Sequence, residues 1–296
     1  MALEPIRVTS INACGFRFVQ SLEEEISSGT VELPSFPDIP FRIKKALDDP
    51  DITAREVAQI VATDPVFSAR ILNVANSAAL ARVSGPISDI PNAVTRIGFR
   101  MAHAVAMSVA MSQVMQEAPV GKVRDRLTRL WRHSLSVAAL SYLIAKSRRA
   151  WNPDEAMLAG LMHDIGKVYI FSRAHKEYGE LIDDDMILDA IVTQWHGGIG
   201  EAILLNWGFS PAMAQVASEH DCLERDGEQV DLTDVVLVAN LFDYALLDGV
   251  DLEETLVEQW RVLPAFGRLD LTASDIQELA TGSREEMQAI TAALGS

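Results

Sequence analysis

The run Met162-His163-Asp164-Ile165-Gly166-Lys167 places one of the six histidines in this chain of 296 residues directly before an aspartate and four residues from a lysine. An adjacent His-Asp pair offers an imidazole nitrogen and a carboxylate oxygen to one divalent metal. His133 lies upstream, in Leu130-Trp131-Arg132-His133-Ser134, and His196 and His220 follow downstream. Neutral imidazoles and ionised carboxylates on rigid elements make a centre that polarises a phosphate and lowers the pKa of bound water. His133, His163 and Asp164 would supply the first ligands, and a fourth must come from later in the chain. Lys167 is near enough in sequence to pair with Asp164 or to meet a phosphate held at the metal.

Packing readings stand beside these. The His-Asp pair can tie helices together by hydrogen bonds with no metal present, and His196 and His220 can be packing residues. His103 lies in an apolar, Met-rich segment and reads as a satisfied core or boundary histidine. His175, in Arg173-Ala174-His175-Lys176, reads as solvent-facing. Met107, Met111 and Met115 recur at i, i+4 and read as core.

The elements that must hold these residues read as helix after helix. Thr53-Ala54-Arg55-Glu56 has the form of a capping box. Asp64-Pro65 is a cap followed by proline at the first helical position, and Asn152-Pro153-Asp154-Glu155 is another with two carboxylates at the positive end of the dipole. Ser88-Asp89-Ile90-Pro91 opens a short helix that Gly98 closes. Met101 to Met115 is a long apolar helix, and another runs from Lys122 to about Lys146 carrying His133. The helix opened at Asn152 is expected to end near Gly166, with His163 and Asp164 in its last turn. A polar stretch follows, with Asp183, Asp184 and Asp185 as a loop or cap. Helices near Asp189 to Leu205, from Ser210-Pro211 to His220, and from Asp231 to Leu247 complete the set. Val31-Glu32-Leu33 is too short to force a strand. The tail after Asp251 reads as two amphipathic helices, the second opened at Ser274-Asp275. Leu252, Leu256, Trp260, Leu263 and Phe266 are its apolar positions.

The organisation expected is an N-terminal extension (1–30), a first helical lobe (31–120), a second lobe (121–250) and a tail (251–296) packed on the second lobe, with Pro119-Val120-Gly121 as the boundary. The hydrophobic share of 49% suits packed helices, and the net charge is −17. That charge disfavours a duplex-binding surface, which needs a basic patch to displace counterions. Arg124, Arg126, Arg129 and Arg132, and Lys146, Arg148 and Arg149, read as solvated helix faces. No apolar run reaches the ~18–20 residues that span a bilayer, and no secretion signal is visible. Cys14 and Cys222 lie far apart and read as free thiols in a reducing cytoplasm.

Taken together these segments resemble the HDOD branch (HD-related output domain) of the HD superfamily. Leu33-Pro34-Ser35-Phe36-Pro37 is similar to its opening LPxLP. Asp64-Pro65 with Ile71-Leu72-Asn73-Val74-Ala75-Asn76-Ser77 is similar to its DPxLxxxLLxxxNS segment, and Ala93-Val94-Thr95-Arg96-Ile97-Gly98 to AIxxLG. Trp131-Arg132-His133 and Ala159-Gly160-Leu161-Met162-His163-Asp164-Ile165-Gly166 resemble W-x-H and AGLLHDIG. The stretch from His196 through Trp207-Gly208-Phe209-Ser210-Pro211 to His220 resembles its H…LxxWxxP segment.

The resemblance implies an all-α fold of two helical lobes, the second similar to metal-dependent HD phosphohydrolases and their HD-GYP relatives. It implies a bacterial, cytoplasmic signal-transduction module that works on signalling proteins by protein–protein contact, with a homodimer as one form, no membrane, no nucleic acid and no strong catalysis. The alternative is a metal-dependent phosphohydrolase acting on a nucleotide or cyclic dinucleotide, with Lys167 in a catalytic role. By the same resemblance His133, His163 and Asp164 match the first ligands of a divalent metal (Fe, Mn, Mg or Zn), and His196 and His220 match histidines that serve a second metal. Asn240, in Val238-Ala239-Asn240-Leu241-Phe242-Asp243, stands where HD enzymes place a closing aspartate, so it is expected as a neutral ligand. His220-Asp221 stands where a His-His pair is expected, and Asp226-Gly227-Glu228 replaces the GYP loop.

Overall fold

Local capping chemistry opens most of the helices. Thr53 accepts from the Glu56 amide while the Glu56 side chain returns to the Thr53 amide, closing a capping box on α3 (Ala54–Val61). Asp64 caps α4 (Pro65–Asn76), Asp89 caps α5 (Ile90–Ile97), and Asn152 caps α8 (Pro153–Met162) through the Asp154 and Glu155 amides. Ser210 caps α12 (Pro211–Glu219). In this computed structural model the described residues are 12–31, 36–77, 85–117, 121–149, 151–247, 259–260, 262–272, 274–275, 278–279 and 284–295. Among them there is no strand, so the fold is all-α. Leu33-Pro34-Ser35, Pro119-Val120, Leu252 and Leu256 lie outside the described residues.

A first group of helices consists of α2 (Ile39–Leu47), α3, α4, α5 and α6 (Phe99–Glu117). α6 runs through its middle and touches α2, α3, α4 and α5. Met101, Met107, Met111 and Met115 are buried there, as an apolar stripe demands. Asn76 clamps the returning chain: its amide accepts from the Ile87 N–H and donates to the Ile87 carbonyl, both at 2.8 Å. Arg96 adds bonds to the carbonyls of Ala75 and Gly85.

The second group forms around α7 (Lys122–Arg148), which packs along α8, α9 (Ile165–Glu177) and α13 (Leu232–Leu247). α11 (Asp185–Asn206) packs on α9 and α12, and α12 on α13. Val235, Val238, Ala239 and Phe242 of α13 are buried, as expected of its inner face.

Four local expectations need correction. α8 stops at Met162 with His163 at its C-cap, and Asp164 precedes a new helix, α9. The pair therefore sits at a bend between two helices rather than in a last turn. Gly166 lies inside α9 and not at a stop. A Cβ there would stand 1.9 Å from the His196 carbonyl oxygen, so glycine is what lets α9 and α11 touch. The stretch after it is helical, its first turns buried all round through Val168, Tyr169, Ile170 and Phe171, and it is followed by the short α10 (Gly179–Asp183). Asp184 then caps α11, which starts at Asp185.

The two ends of the chain join these groups. α1 (Ala13–Ser28), within the expected extension, packs on α11 and α10, and Glu25 pairs with Arg173 and Tyr169 of α9. In the tail, Trp260 and Phe266 stack with Phe242 of α13, and α14 (Pro264–Arg268) packs on α13. The last helix, α15 (Arg284–Gly295), lies on α7 and also on α6 and α4, so the tail reaches both groups. A buried ion network fixes α14: Asp234 takes Arg225 at 2.7 Å and Arg268 at 2.6 Å.

Candidate metal centre

Four helical elements deliver histidines to one point. His133 comes from α7, His163 from the C-cap of α8, His196 from α11 and His220 from the C-cap of α12. All four are buried, as is Asp164, which stands among them. Each ring is oriented from behind through Nδ1. His133 Nδ1 meets Asp243 at 2.6 Å, His163 Nδ1 the Gly160 carbonyl at 2.7 Å, and His196 Nδ1 the Val192 carbonyl at 2.7 Å. His220 Nδ1 meets the carbonyls of Val216 and Ala217. Carbonyls and a carboxylate only accept, so Nδ1 carries the proton in each ring. In a neutral ring the Nε2 lone pair is then left free.

All four Nε2 atoms turn towards Asp164. Oδ2 lies 3.6 Å from His133 Nε2 and 3.3 Å from His163 Nε2. Oδ1 lies 3.9 Å from His196 Nε2 and 3.3 Å from His220 Nε2. His133 and His163 point Nε2 at each other at 3.1 Å, an arrangement of two lone pairs that a cation would relieve. His196 Nε2, His220 Nε2, Asp164 Oδ1 and Asn240 Oδ1 are buried with no hydrogen-bond partner. Convergent acceptors without donors fit a metal, and the ligating atoms form two sets that share Asp164: His133–His163–Asp164 and Asp164–His196–His220.

The electrostatics agree with the geometry. Burial alone would raise the Asp164 pKa, but His163, Lys167 and His220 overcome it and hold the carboxyl well below the usual range. Lys167 Nζ lies 2.9 Å from Asp164 Oδ2. Burial pushes that ammonium down, yet Asp164, Tyr244 and Asp221 raise its pKa overall. Burial lowers His163 to about 4, so its ring is neutral at pH 7.

A cleft of about 710 Å³ opens on the first set. His133, Asp164 and Lys167 line its floor, and Lys122, Arg126, Arg129, Asp185 and Asp189 line its mouth. Arg126 and Arg129, expected on a solvated face, therefore border the site. Arg126 is already engaged, by Asp185 at 2.8 Å and Asp189 at 2.5 Å. Tyr244 covers His133, ring centroids 5.1 Å apart.

Asn240 is buried on α13, where its Nδ2 donates to Asp221 Oδ1 at 2.9 Å. Sequence reasoning gave two functional carboxylates no role. Asp243 orients His133 across 110 residues of sequence, and Asp221 faces His196 and His220. His103 does not join the centre, and its expected satisfaction is incomplete: Nε2 is buried without a partner, and the ring stacks on Phe209.

The profile of the HDOD domain matches residues 33–222. The chain belongs to the HDOD family. Among solved structures, a proposed metal-dependent phosphohydrolase from Shewanella amazonensis SB2B is similar at 27% identity with a TM-score of 0.75, covering 96% of this HDOD chain and 100% of that one. A proposed signal-transduction protein from Marinobacter aquaeolei VT8 shares the fold at 18% identity and a TM-score of 0.61, over 96% of this chain and 66% of its own. An uncharacterized protein of Treponema pallidum (strain Nichols) is 25% identical over 264 residues, 84% of this chain. The chain spans about half the length of that curated relative, 48%. Among the described residues no helix is long and apolar enough to cross a membrane.

Proposed function

We propose that this HDOD chain is a signal-transduction module whose second group of helices carries a divalent-metal centre for a phosphorylated ligand. On this reading the ligand state is passed to partner signalling proteins by contact. One observation carries it: four imidazoles, each held through Nδ1, aim Nε2 at a single buried carboxylate. His133, His163 and Asp164 would hold one ion, and Asp164, His196 and His220 another. Imidazole with carboxylate suits zinc, iron or manganese better than magnesium. When bound, such an ion polarises a phosphate oxygen and lowers the pKa of coordinated water.

The chain's own groups supply the remainder. Lys167 keeps Asp164 ionised and borders the cleft. Arg129, and Lys122 beside Asp183 at 3.7 Å and Asp185 at 3.9 Å, add positive charge at the mouth, and a phosphate could compete for them. Asp243 sets the tautomer of His133. Hydrolysis of the ligand is a second reading, favoured by the way the cleft meets the set nearest Lys167.

Elemental analysis of protein purified without chelator tests the centre, beside a His163→Ala/Asp164→Ala variant. Near-stoichiometric transition metal in the native chain and none in the variant is expected. No metal in either, with both folded, refutes the proposal and leaves the His-Asp cluster as a packing device. Phosphodiester turnover by the native chain with Mn²⁺ then decides for hydrolysis over ligand sensing.

A further inference from the structure

The two metal positions differ in how the chain encloses them. At the first, His133 and Asp164 line the cleft, and His163, fully buried, holds its Nε2 3.1 Å from His133 Nε2 and 3.3 Å from Asp164 Oδ2. Asp243, the other carboxylate close to His133, stands behind the ring on Nδ1 and is not turned inward. Positions for an incoming ligand are therefore left open there. At the second, a further carboxylate arrives from outside. Asp221 Oδ2 lies 3.4 Å from His196 Nε2 and 3.5 Å from His220 Nε2, opposite Asp164 Oδ1. Two imidazoles thus stand between two carboxylate oxygens. With Asp164 shared between the two positions, Asp221 gives the second a fourth protein donor that the first lacks, the pattern of metal that is kept rather than exchanged.

Asn240 explains why Asp221 stands there. Its Nδ2 donates to Asp221 Oδ1 at 2.9 Å, which leaves Oδ2 for the histidines. Of the two ends of the Asn240 amide only the nitrogen can donate to a carboxylate oxygen, so the neutral residue at 240 and the anionic residue at 221 form a matched pair. We propose that Asp221 is the closing ligand of the second metal position and that Asn240 is its positioning residue, which makes that position tight and leaves the His133 position exchangeable. The proposal rests on the metal-centre reading given above.

Full-length chain loaded with Zn²⁺ and then challenged with EDTA tests it, with bound zinc counted by mass spectrometry. The native chain is expected to take up an ion at each position and to keep one through the challenge. Asp221→Asn should lose the chelator-resistant ion and Asp221→Glu should keep it, while His133→Ala should lose only the exchangeable one. Asn240→Ala should bind both and release the resistant ion about 10- to 100-fold faster, as loss of an outer-shell partner does. Asp221 is 47% exposed, so its variants are expected to fold, and a thermal melt checks this. Resistant zinc in Asp221→Asn at the native level overturns the ligand assignment. Native release rates in Asn240→Ala overturn the positioning role. A native chain that binds no zinc overturns the metal centre itself, and this inference with it.

Discussion

Asn240→Asp is the substitution that resemblance to HD enzymes recommends, since it places an aspartate at their closing position. The structure predicts that it harms the metal-free protein. The new carboxylate would stand 2.9 Å from Asp221 Oδ1, where the amide nitrogen now donates. Two like charges at that distance repel by ~6 kcal/mol at an effective dielectric of 20 and by ~1 kcal/mol in bulk water. Asp221 is 47% exposed and the residue at 240 is buried, so the cost falls between these limits. At about 2 °C per kcal/mol for a chain of this size, melting should drop by roughly 2–12 °C. Differential scanning calorimetry on EDTA-treated native chain, Asn240→Asp, Asp221→Asn and the double variant measures it. The double variant restores an amide–carboxylate pair and should melt well above the sum of the single losses. Saturating Zn²⁺ should recover part of the Asn240→Asp deficit. A metal-free Asn240→Asp protein that melts with the native chain, or a double variant showing no coupling, refutes the matched-pair reasoning.

Other consequences are as direct. Gly166→Ala puts a methyl 1.9 Å from the His196 carbonyl oxygen; forcing α9 from α11 should cost about 1–3 kcal/mol or more and abolish metal uptake, both read from melts and elemental analysis. Burial, then the charge of Lys44, lowers His103 to about 4 from its usual 6.5. The unfolded chain therefore binds the extra proton between those values, and stability should fall as pH drops through that window, by about 3 kcal/mol in all. Urea midpoints from pH 7 to 4 should show that slope on top of the one from His163, also lowered to about 4, and His103→Gln should remove its own share; equal slopes would remove His103 as a cause. Asp234→Asn leaves Arg268 and Arg225 short of a buried carboxylate and should cost about 3–5 kcal/mol in chemical denaturation.

What was legible in the sequence is what acts over a few residues. The caps at Thr53, Asp64, Asp89, Asn152 and Ser210 bond their own first turns, so side-chain type and spacing suffice. The His163-Asp164 pair and its companion histidines were legible for the same reason, as residue types rare enough to stand out. Gly166 was misread because a glycine that ends a helix and one that admits a neighbouring helix look alike in one dimension. α9 was hidden because Arg173, His175, Lys176 and Glu177 at its end give a polar look to a helix whose first turns are buried. Asp243 could not be singled out among many acidic residues, since its partner His133 lies on another helix, and Asp221 stood out only as a departure from a His-His pair, since His196 and Asn240 reach it from other helices. Within the HD-like pattern, the juxtaposition of Asn240 with Asp221 was the available signal, and only their contact in space makes them one unit.

The carbonyl of Leu294, near the end of the last helix, accepts bonds from the buried side chains of Arg70 and Ser108, 224 and 186 residues away. This closure has a consequence in time rather than in space. During synthesis α4 and α6 emerge first, and the acceptor for their inward donors is made 224 residues after Arg70 and 186 after Ser108. Until then Arg70 lacks this acceptor, Ser108 has only its bond to the Val105 carbonyl within α6 at 2.8 Å, and the groove that α15 fills is open. Contacts of such long sequence separation are slow to form, so completion of the first helical group waits on the far end of the chain. The first helical group therefore matures only once α15 has been made and docked, the Leu294 carbonyl acting as its latch.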